Sequence, residues 1–198
     1  MAVSVLQLFT QDGDLLKIYD AILDDVGGRD GAPRGLIYHF CAPVEDGLCI
    51  CDLWETREDF ERFAQDSLAP SGAKHGMASA QVEISEAHEM VLGRSIDRKG
   101  IALFVEWEGR SDVLLRKIDE ANARMNVFAH PPDGLVIHWT IPSRSGIRVI
   151  DHWRSRDDFD RFLHSRLGET MDAIAMPPPS ITQFEVYNTL DRRVAAHV

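Results

Sequence analysis

The sequence is poor in cysteine and in basic residues. Only three of its 198 residues are cysteine, at Cys41, Cys49 and Cys51, which fits neither an even disulfide framework nor a CxxC pair. We therefore expect reduced thiols in a cytoplasmic protein. Lysine and arginine together number 21 against 32 aspartate and glutamate residues, so the formal net charge is −11. No basic stripe is present, and an acidic surface repels phosphate groups, so we expect no nucleic-acid partner.

Long apolar runs are missing as well. No stretch approaches the roughly 20 apolar residues of a membrane-spanning helix, and we expect no membrane partner. The N-terminal MAVSVLQLFTQDG lacks the basic region and long apolar stretch of a secretory signal. The sequence contains no GxGxxG fingerprint with its acidic residue, no P-loop and no serine nucleophile elbow, and its histidines and cysteines lack zinc-ligand spacing. The sequence accordingly predicts no cofactor and no metal.

What the sequence does contain is an internal repeat with a period of 99 residues. The stretch CDLWETREDFERF begins at Cys51, and IDHWRSRDDFDRF begins at Ile150. Between Pro33–Leu68 and Pro132–Leu167, 14 of 36 positions are identical without a gap. Turn residues, aromatic residues and loop lengths are kept together, so we expect each repeat to be one structural unit.

Both repeats have the same predicted order of elements. An apolar strand, VSVLQLF or IALFVEW, is followed by an amphipathic helix. A two-stranded hairpin comes next, with a glycine placed for a left-handed turn, and then a second helix behind a Thr56 or Ser155 cap, and a last strand. This β-α-β-β-α-β order is the ferredoxin-like pattern. We expect an α+β protein of two such repeats, at 1–97 and 98–198.

The residues on both faces of the predicted strands are largely apolar, which indicates that both faces of each sheet are buried. Two copies in one chain offer the simplest cover for the faces that lack helices. We therefore expect the two sheets to pack against each other as an intramolecular, pseudo-dimeric α/β barrel. Such a protein would be a monomer or a weak homodimer.

The repeated stretch resembles a known family. It has a strand that ends in tryptophan, then a Ser or Thr cap, then an acidic helix with phenylalanines. This pattern resembles that of the dimeric α/β-barrel superfamily. Within it, the antibiotic-biosynthesis monooxygenase-like (ABM) domain is the nearest resemblance, as two fused copies over nearly the whole chain. The resemblance implies a small apolar, aromatic or polyketide-like ligand and, if the protein is an enzyme, a cofactor-independent monooxygenase or cyclase reaction. A non-catalytic binding or structural protein of the same fold is the alternative.

A haem-binding relative is the third candidate that the resemblance raises. The haem-degrading members carry an asparagine on the first strand and a histidine about ten residues after the tryptophan. Here Ala64 and Leu163 stand ten residues after the tryptophans, and the first strands have no asparagine. The sequence therefore does not match the haem-degrading set.

Two histidines are the leading catalytic candidates. His39 and His138 lie at matching positions in the middle of a predicted apolar strand. An imidazole can act as a general base because its unperturbed pKa is about 6.5. If their strand face looks into a cavity between the two sheets, the pair flanks one shared pocket. If it does not, each is a buried histidine satisfied by a carbonyl or a carboxylate.

Two aspartates complete the predicted catalytic set. Asp52 and Asp151 lie on the strand next to the histidines, where a buried carboxylate needs a partner. A two-residue turn at 45–46 would place His39 opposite Asp52. A three-residue turn with Gly47 as a bulge would turn the two side chains to opposite faces of the sheet. The sequence leaves both registers open.

Further residues are candidates for contact with a ligand. A tryptophan at a strand end can stack on a planar molecule or simply fill the core, and both alternatives remain for Trp54 and Trp153. The repeats also differ near their strand ends, where the second has additional polar residues. If only one pocket works, we expect it in the second half. The predicted ligand-binding residues are Trp54, Trp153, Trp139, His152 and Tyr38.

Overall fold

The two sequence repeats form two units with the same order of elements. The computed structural model describes residues 1–194. Unit 1 comprises Met1–Glu86 and the described residues from Val186 onward, and unit 2 comprises Ala87–Glu185. Each unit has one five-stranded antiparallel sheet and two helical segments, so the predicted α+β ferredoxin-like class is confirmed.

The first half of the chain contains five strands and three helices, with a π-helical turn between the second and third helix. Their bounds are β1 Val3–Phe9, α1 Leu15–Asp25, β2 Leu36–Val44, β3 Gly47–Trp54, α2 Arg57–Phe63, the π turn Ala64–Leu68, α3 Ala69–His75, β4 Gln81–Glu86 and β5 Glu89–Leu92.

The second half repeats this order. Its elements are β6 Ile101–Glu108, α4 Ser111–Met125, β7 Leu135–Pro142, β8 Gly146–Trp153, α5 Arg156–Phe162, the π turn Leu163–Leu167, α6 Gly168–Ala173, β9 Ser180–Glu185 and β10 Asn188–Asp191.

The fifth strand of each sheet comes from the other repeat. The strand order is β10-β2-β3-β1-β4 in unit 1 and β5-β7-β8-β6-β9 in unit 2. Compared with the predicted segments 1–97 and 98–198, the units exchange one strand: unit 1 has β10 in place of β5, and unit 2 has β5 in place of β10. The physical reason is that β2 and β7 would otherwise be sheet edges with unpaired backbone groups, which a fifth strand satisfies. The repeat in the sequence does not specify which of the two sheets a fifth strand joins.

Local chemistry explains where the second helices begin and how tight the hairpins are. Thr56 Oγ1 accepts a hydrogen bond from the backbone N–H of Asp59 at 3.1 Å, and Ser155 caps α5 in the same way, as predicted. The predicted left-handed conformation of the hairpin glycine is wrong, because Gly47 does not have a positive φ. Glycine is needed there for space, since a Cβ at Gly47 would lie 1.9 Å from the carbonyl oxygen of Phe9.

The helices of each unit pack on one face of its sheet. In unit 1, Trp54 at the end of β3 contacts the rings of Phe60 and Phe63 from α2. Residues on the opposite face, such as Tyr38 and Leu53, are also buried, so the prediction that both faces are buried is confirmed. Within residues 1–194, no helix combines the length and the apolar character that a membrane span requires.

Candidate functional site

Each unit has a cavity between its sheet and its helices. The cavity of unit 1, here the first pocket, has a volume of about 490 Å³, and that of unit 2, the second pocket, about 340 Å³. His39 lines the first pocket and His138 lines the second. The two histidines thus line separate pockets, which is not the shared-pocket arrangement that the sequence left open as one alternative. Their strand face is the one that carries the helices.

The hairpin register brings each histidine to its aspartate. Val44 pairs with Gly47 across a two-residue turn, so His39 lies directly opposite Asp52. His39 Nδ1 is 2.7 Å from Asp52 Oδ1, and the His138–Asp151 pair has the same 2.7 Å separation. Of the two registers that the sequence leaves open, the structure has the one that forms a His–Asp pair. The carboxylate accepts the Nδ1 proton and thereby directs the other ring nitrogen, Nε2, away from the strand pair.

In the first pocket, a tyrosine hydroxyl forms a hydrogen bond with Nε2. The Tyr19 hydroxyl is 2.8 Å from His39 Nε2, and the two rings are parallel within 6°. The same hydroxyl accepts a hydrogen bond from Asn188 Nδ2 at 2.8 Å, which leaves its own proton for His39. Burial, with a contribution from the nearby Cys41 thiol, strongly raises the pKa of Tyr19. Tyr19 is therefore a neutral donor to an imidazole that carries its proton on Nδ1.

The first pocket also contains a buried donor without a protein partner. Trp54 is 1% exposed, and its indole N–H makes no hydrogen bond. The corresponding Trp153 donates to Asp151 Oδ2 at 3.2 Å. In unit 1, Gln7 Nε2 takes that place on Asp52 at 3.4 Å. An unpaired buried N–H costs free energy that a ligand with an acceptor atom would recover.

The second pocket has the same histidine in a different electrostatic setting. His138 Nε2 lies 2.9 Å from Glu89 Oε1, which also accepts from the Thr140 hydroxyl at 2.6 Å. Burial opposes the charged imidazolium, but Glu89 and Asp151 outweigh it and raise the pKa of His138 to about 10. Burial likewise opposes ionisation of Glu89, and the charge of His138 outweighs it and lowers the pKa of that carboxyl group. His138 is thus an imidazolium between two carboxylates at neutral pH.

Two substitutions between the repeats account for this difference. The position of Tyr19 on α1 is occupied by Ile118 on α4, and the position of Asn188 on β10 is occupied by Glu89 on β5. Unit 1 therefore has a hydroxyl and an amide near Nε2, whereas unit 2 has a carboxylate. Sequence reasoning missed Tyr19 and Glu89. Comparison of positions 99 residues apart could have found them. Tyr19 is polar where Ile118 is apolar, and Glu89 is charged where Asn188 is neutral.

Three predicted ligand-binding residues lie elsewhere. Tyr38, Trp139 and His152 line neither pocket, although all three are buried. The reason is strand alternation: each is the immediate neighbour of a residue that faces its pocket, so it points to the opposite face of the sheet. His152 Nε2 lies 3.1 Å from the backbone oxygen of Lys99 there. By contrast, Trp54 and Trp153 do line the pockets, and both also pack in the hydrophobic cores of their units. Their role as ligand contacts stays a prediction.

The expectation of a better equipped second half also needs correction. Tyr187 and Asn188 belong to the second repeat in sequence but to unit 1 in structure. The Tyr187 hydroxyl donates to Asp20 Oδ2 at 2.7 Å, and Asn188 reaches Tyr19. The polar residues at the end of the second repeat therefore belong to unit 1, where Asn188 contacts Tyr19 in the wall of the first pocket.

The fold of the two units defines the class. The chain has the α+β ferredoxin-like fold of proteins related to antibiotic-biosynthesis monooxygenases, and the predicted resemblance is confirmed at the level of fold. No protein-family model matches the sequence, and no curated protein matches it either.

Solved structures match over nearly the full length. A putative monooxygenase from Lactobacillus acidophilus NCFM is 9% identical with a TM-score of 0.72, covering 96% of this chain and 96% of that one. A putative monooxygenase from Fusobacterium nucleatum is 10% identical with a TM-score of 0.70, covering 96% and 93%. An anthrone oxidase-like protein is 15% identical with a TM-score of 0.52, covering 100% and 96%. Identities this low establish similarity of fold alone.

Proposed function

We propose that the first pocket binds a small planar aromatic molecule and abstracts a proton from it, as the first step of a cofactor-independent oxygenation. One observation carries the proposal: His39 lies in the wall of an apolar cavity of about 490 Å³ with Asp52 on one ring nitrogen and Tyr19 on the other. A carboxylate that holds the Nδ1 proton makes Nε2 the basic nitrogen. The cavity size is in the range that holds ligands of drug size.

The proton would travel through Tyr19. A phenol or enol hydroxyl, or an acidic C–H next to a ring carbonyl, would give its proton to the Tyr19 oxygen while the Tyr19 proton moves to His39 Nε2. One proton leaves the substrate and one arrives on the imidazole, and the substrate keeps the electron pair as a delocalised anion. Because the pKa of Tyr19 is raised, the hydroxyl passes the proton on without remaining ionised.

Trp54 would stabilise the anion. Its unpaired indole N–H lies in the same pocket wall, and a preformed donor aimed at a developing oxyanion lowers the barrier because it needs no reorganisation. Dioxygen is then the co-reactant. For an anthrone, the ring CH₂ group becomes a carbonyl, one oxygen atom of O₂ enters the product, and the other leaves as water.

The test is oxygen uptake and quinone absorbance with 9(10H)-anthrone as the probe, corrected for the uncatalysed rate. We expect His39→Gln to lose about 10²- to 10⁴-fold of the protein-dependent rate, the range of general base catalysis. His138→Gln is the matched control and keeps the rate, since His138 has no basic nitrogen available. Equal losses in both variants would contradict the assignment to unit 1.

A second candidate is a binding protein without catalysis. The observation in its favour is that both ring nitrogens of His39 already have protein partners, so the histidine is satisfied without a substrate. Anthrone binding without turnover above background, unchanged in His39→Gln, would establish this alternative.

Neither pocket histidine is free to ligate haem. A histidine ligand to haem iron needs an open ring nitrogen, whereas His39 and His138 each have both nitrogens engaged. Among residues 1–194, no group of three or more His, Cys, Asp or Glu side chains could hold a metal ion.

A further inference from the structure

The second pocket contains a buried amide that has no partner. Asn122 on α4 is 5% exposed and lies in the wall of the second pocket, and its Nδ2 group makes no hydrogen bond. The equivalent residue on α1 is Leu23, which lines the first pocket as an ordinary core residue. At this position the second repeat therefore has an amide where the first repeat has an isobutyl group.

Such an amide destabilises the free protein. A buried donor left unpaired costs about 1–3 kcal/mol relative to a paired one, and the leucine found in unit 1 avoids that cost. No hydrogen bond holds Nδ2 in place, and the terminal torsion of asparagine has a broad preference. The amide can therefore turn toward a ligand in the cavity and donate to an acceptor atom there.

The surroundings specify what kind of ligand carries this acceptor. Aromatic rings of Trp107, Trp153 and Phe159 lie in the wall and suit a flat ring system. Three methionines, Met125, Met171 and Met176, add flexible apolar surface that adapts to the shape of a ligand.

Charge excludes anions. Glu89 and Asp151 place two carboxylates beside the single imidazolium of His138, so this buried cluster is net negative. A phenolate or carboxylate would be repelled at close range in a medium of low dielectric constant. An uncharged carbonyl oxygen is the acceptor that fits.

We propose that the second pocket is a binding site for an uncharged aromatic carbonyl compound, in which Asn122 Nδ2 donates to the carbonyl oxygen and no reaction takes place. The lack of reaction follows from geometry, because both nitrogens of His138 are held by carboxylates and neither is directed to a substrate. The proposal does not depend on turnover in unit 1.

The experiment compares 9-fluorenone with fluorene, which has a CH₂ group in place of the carbonyl. Methionine methyl groups labelled with ¹³C report the two pockets separately, because Met77 lines the first pocket and Met125, Met171 and Met176 line the second. We expect fluorenone to shift the three methyl signals of the second pocket with a Kd about tenfold lower than that of fluorene. Tenfold corresponds to about 1.4 kcal/mol, the size of one net hydrogen bond.

The matched variant is Asn122→Leu, which installs the residue of the first repeat. We expect it to remove the preference for fluorenone over fluorene while fluorene binding stays equal or tightens. Asn122→Ala serves as the second variant if leucine alters the cavity, and the Met77 signal reports an intact fold in both.

Three results would overturn the proposal: equal affinities of the two compounds, a preference that survives both variants, or shifts confined to Met77. None of them bears on turnover at His39. If the protein does not oxidise anthrone and none of these three results is seen, only the proposed function is contradicted.

Discussion

The Tyr19 hydroxyl lies 2.8 Å from Nε2 of His39, whereas at His138 an isoleucine replaces the tyrosine and Glu89 Oε1 lies 2.9 Å from Nε2. The His–Asp pair itself is the same in both units, with 2.7 Å between the paired atoms. What differs is the group on the far side of the ring. A hydroxyl leaves the imidazole able to accept a proton, whereas a carboxylate holds it as a cation.

The first prediction concerns Tyr19. Tyr19→Phe keeps the ring and removes the relay, so we expect about a 10- to 100-fold loss of kcat for anthrone oxidation with little change in ligand Kd. Tyr187→Phe is the control, because Tyr187 loses a comparable hydrogen bond to Asp20 without contact to His39. Stopped-flow absorbance and equilibrium binding measure the two quantities. A similar loss in both variants would mean that the hydroxyl acts only through packing.

The second prediction concerns the charge of His138. The folded pKa of about 10 lies above the ordinary 6.5, so the protonated cluster contributes its full stability below about pH 6.5. That contribution decreases as the pH rises from about 6.5 and is lost as it passes about 10. In Glu89→Gln one of the two carboxylates is gone, and we expect the titration midpoint of His138 to fall.

Imidazole NMR signals and urea unfolding at several pH values measure both effects. We expect a flatter dependence of unfolding free energy on pH between about 6.5 and 10 in Glu89→Gln than in the parent protein. Glu83→Gln, a change on β4 of unit 1, serves as the control. An unchanged midpoint in Glu89→Gln would show that Glu89 does not hold the charge.

The third prediction is a gain of function in unit 2. Ile118→Tyr combined with Glu89→Asn installs the first-pocket residues around His138, and the carboxylate that keeps the imidazole charged is removed. In a His39→Gln background, we expect the anthrone oxidation rate to rise about tenfold above that background. Glu89→Asn alone is the control, since it neutralises the site without supplying the hydroxyl. A rate that stays at background in a folded triple variant would speak against the relay.

The fourth prediction concerns a glycine that supports the first pocket. Gly35 has a φ of +86°, and a Cβ there would lie 2.6 Å from the Cβ of Asp59 in the first turn of α2. We expect Gly35→Ala to destabilise the protein by about 3 kcal/mol, from left-handed strain together with overpacking. At Gly76, φ is +73° but nothing lies within 4 Å of a Cβ.

Gly76→Ala is therefore the matched control, with an expected loss of about 1 kcal/mol from strain alone. Thermal or urea unfolding gives both values. Equal losses at the two positions would contradict the role assigned to the contact with Asp59.

Particular residues show how far sequence reasoning reached. The shared pattern of the repeats predicts the helices, the hairpins and the Thr56 and Ser155 caps, because each depends on residues close together in the chain. It also predicts that either Asp52 or a neighbouring residue lies opposite His39. The choice depends on whether the hairpin turn has two or three residues. The sequence of the turn does not distinguish these two lengths, so it leaves both registers open.

The assignment of Tyr38, Trp139 and His152 as ligand contacts stays a prediction, and the structure places all three outside both pockets. Composition marks these side chains as suited to ligand binding, yet strand alternation turns them away from both pockets. The packing of the two repeats as one barrel stays a prediction.

The sequence by itself determined the repeat, the ferredoxin-like order of elements in each copy and the two histidines on matching strands. Only the tertiary structure decided which groups surround each histidine, because Glu89, which contacts His138, and Asn188, which contacts Tyr19, lie on strands that join the sheet of the other repeat. Such pairing is made by backbone N–H and C=O groups, which nearly every residue carries alike. The amino-acid pattern therefore does not name the partner of an edge strand, and the chemistry of both pockets depends on that pairing.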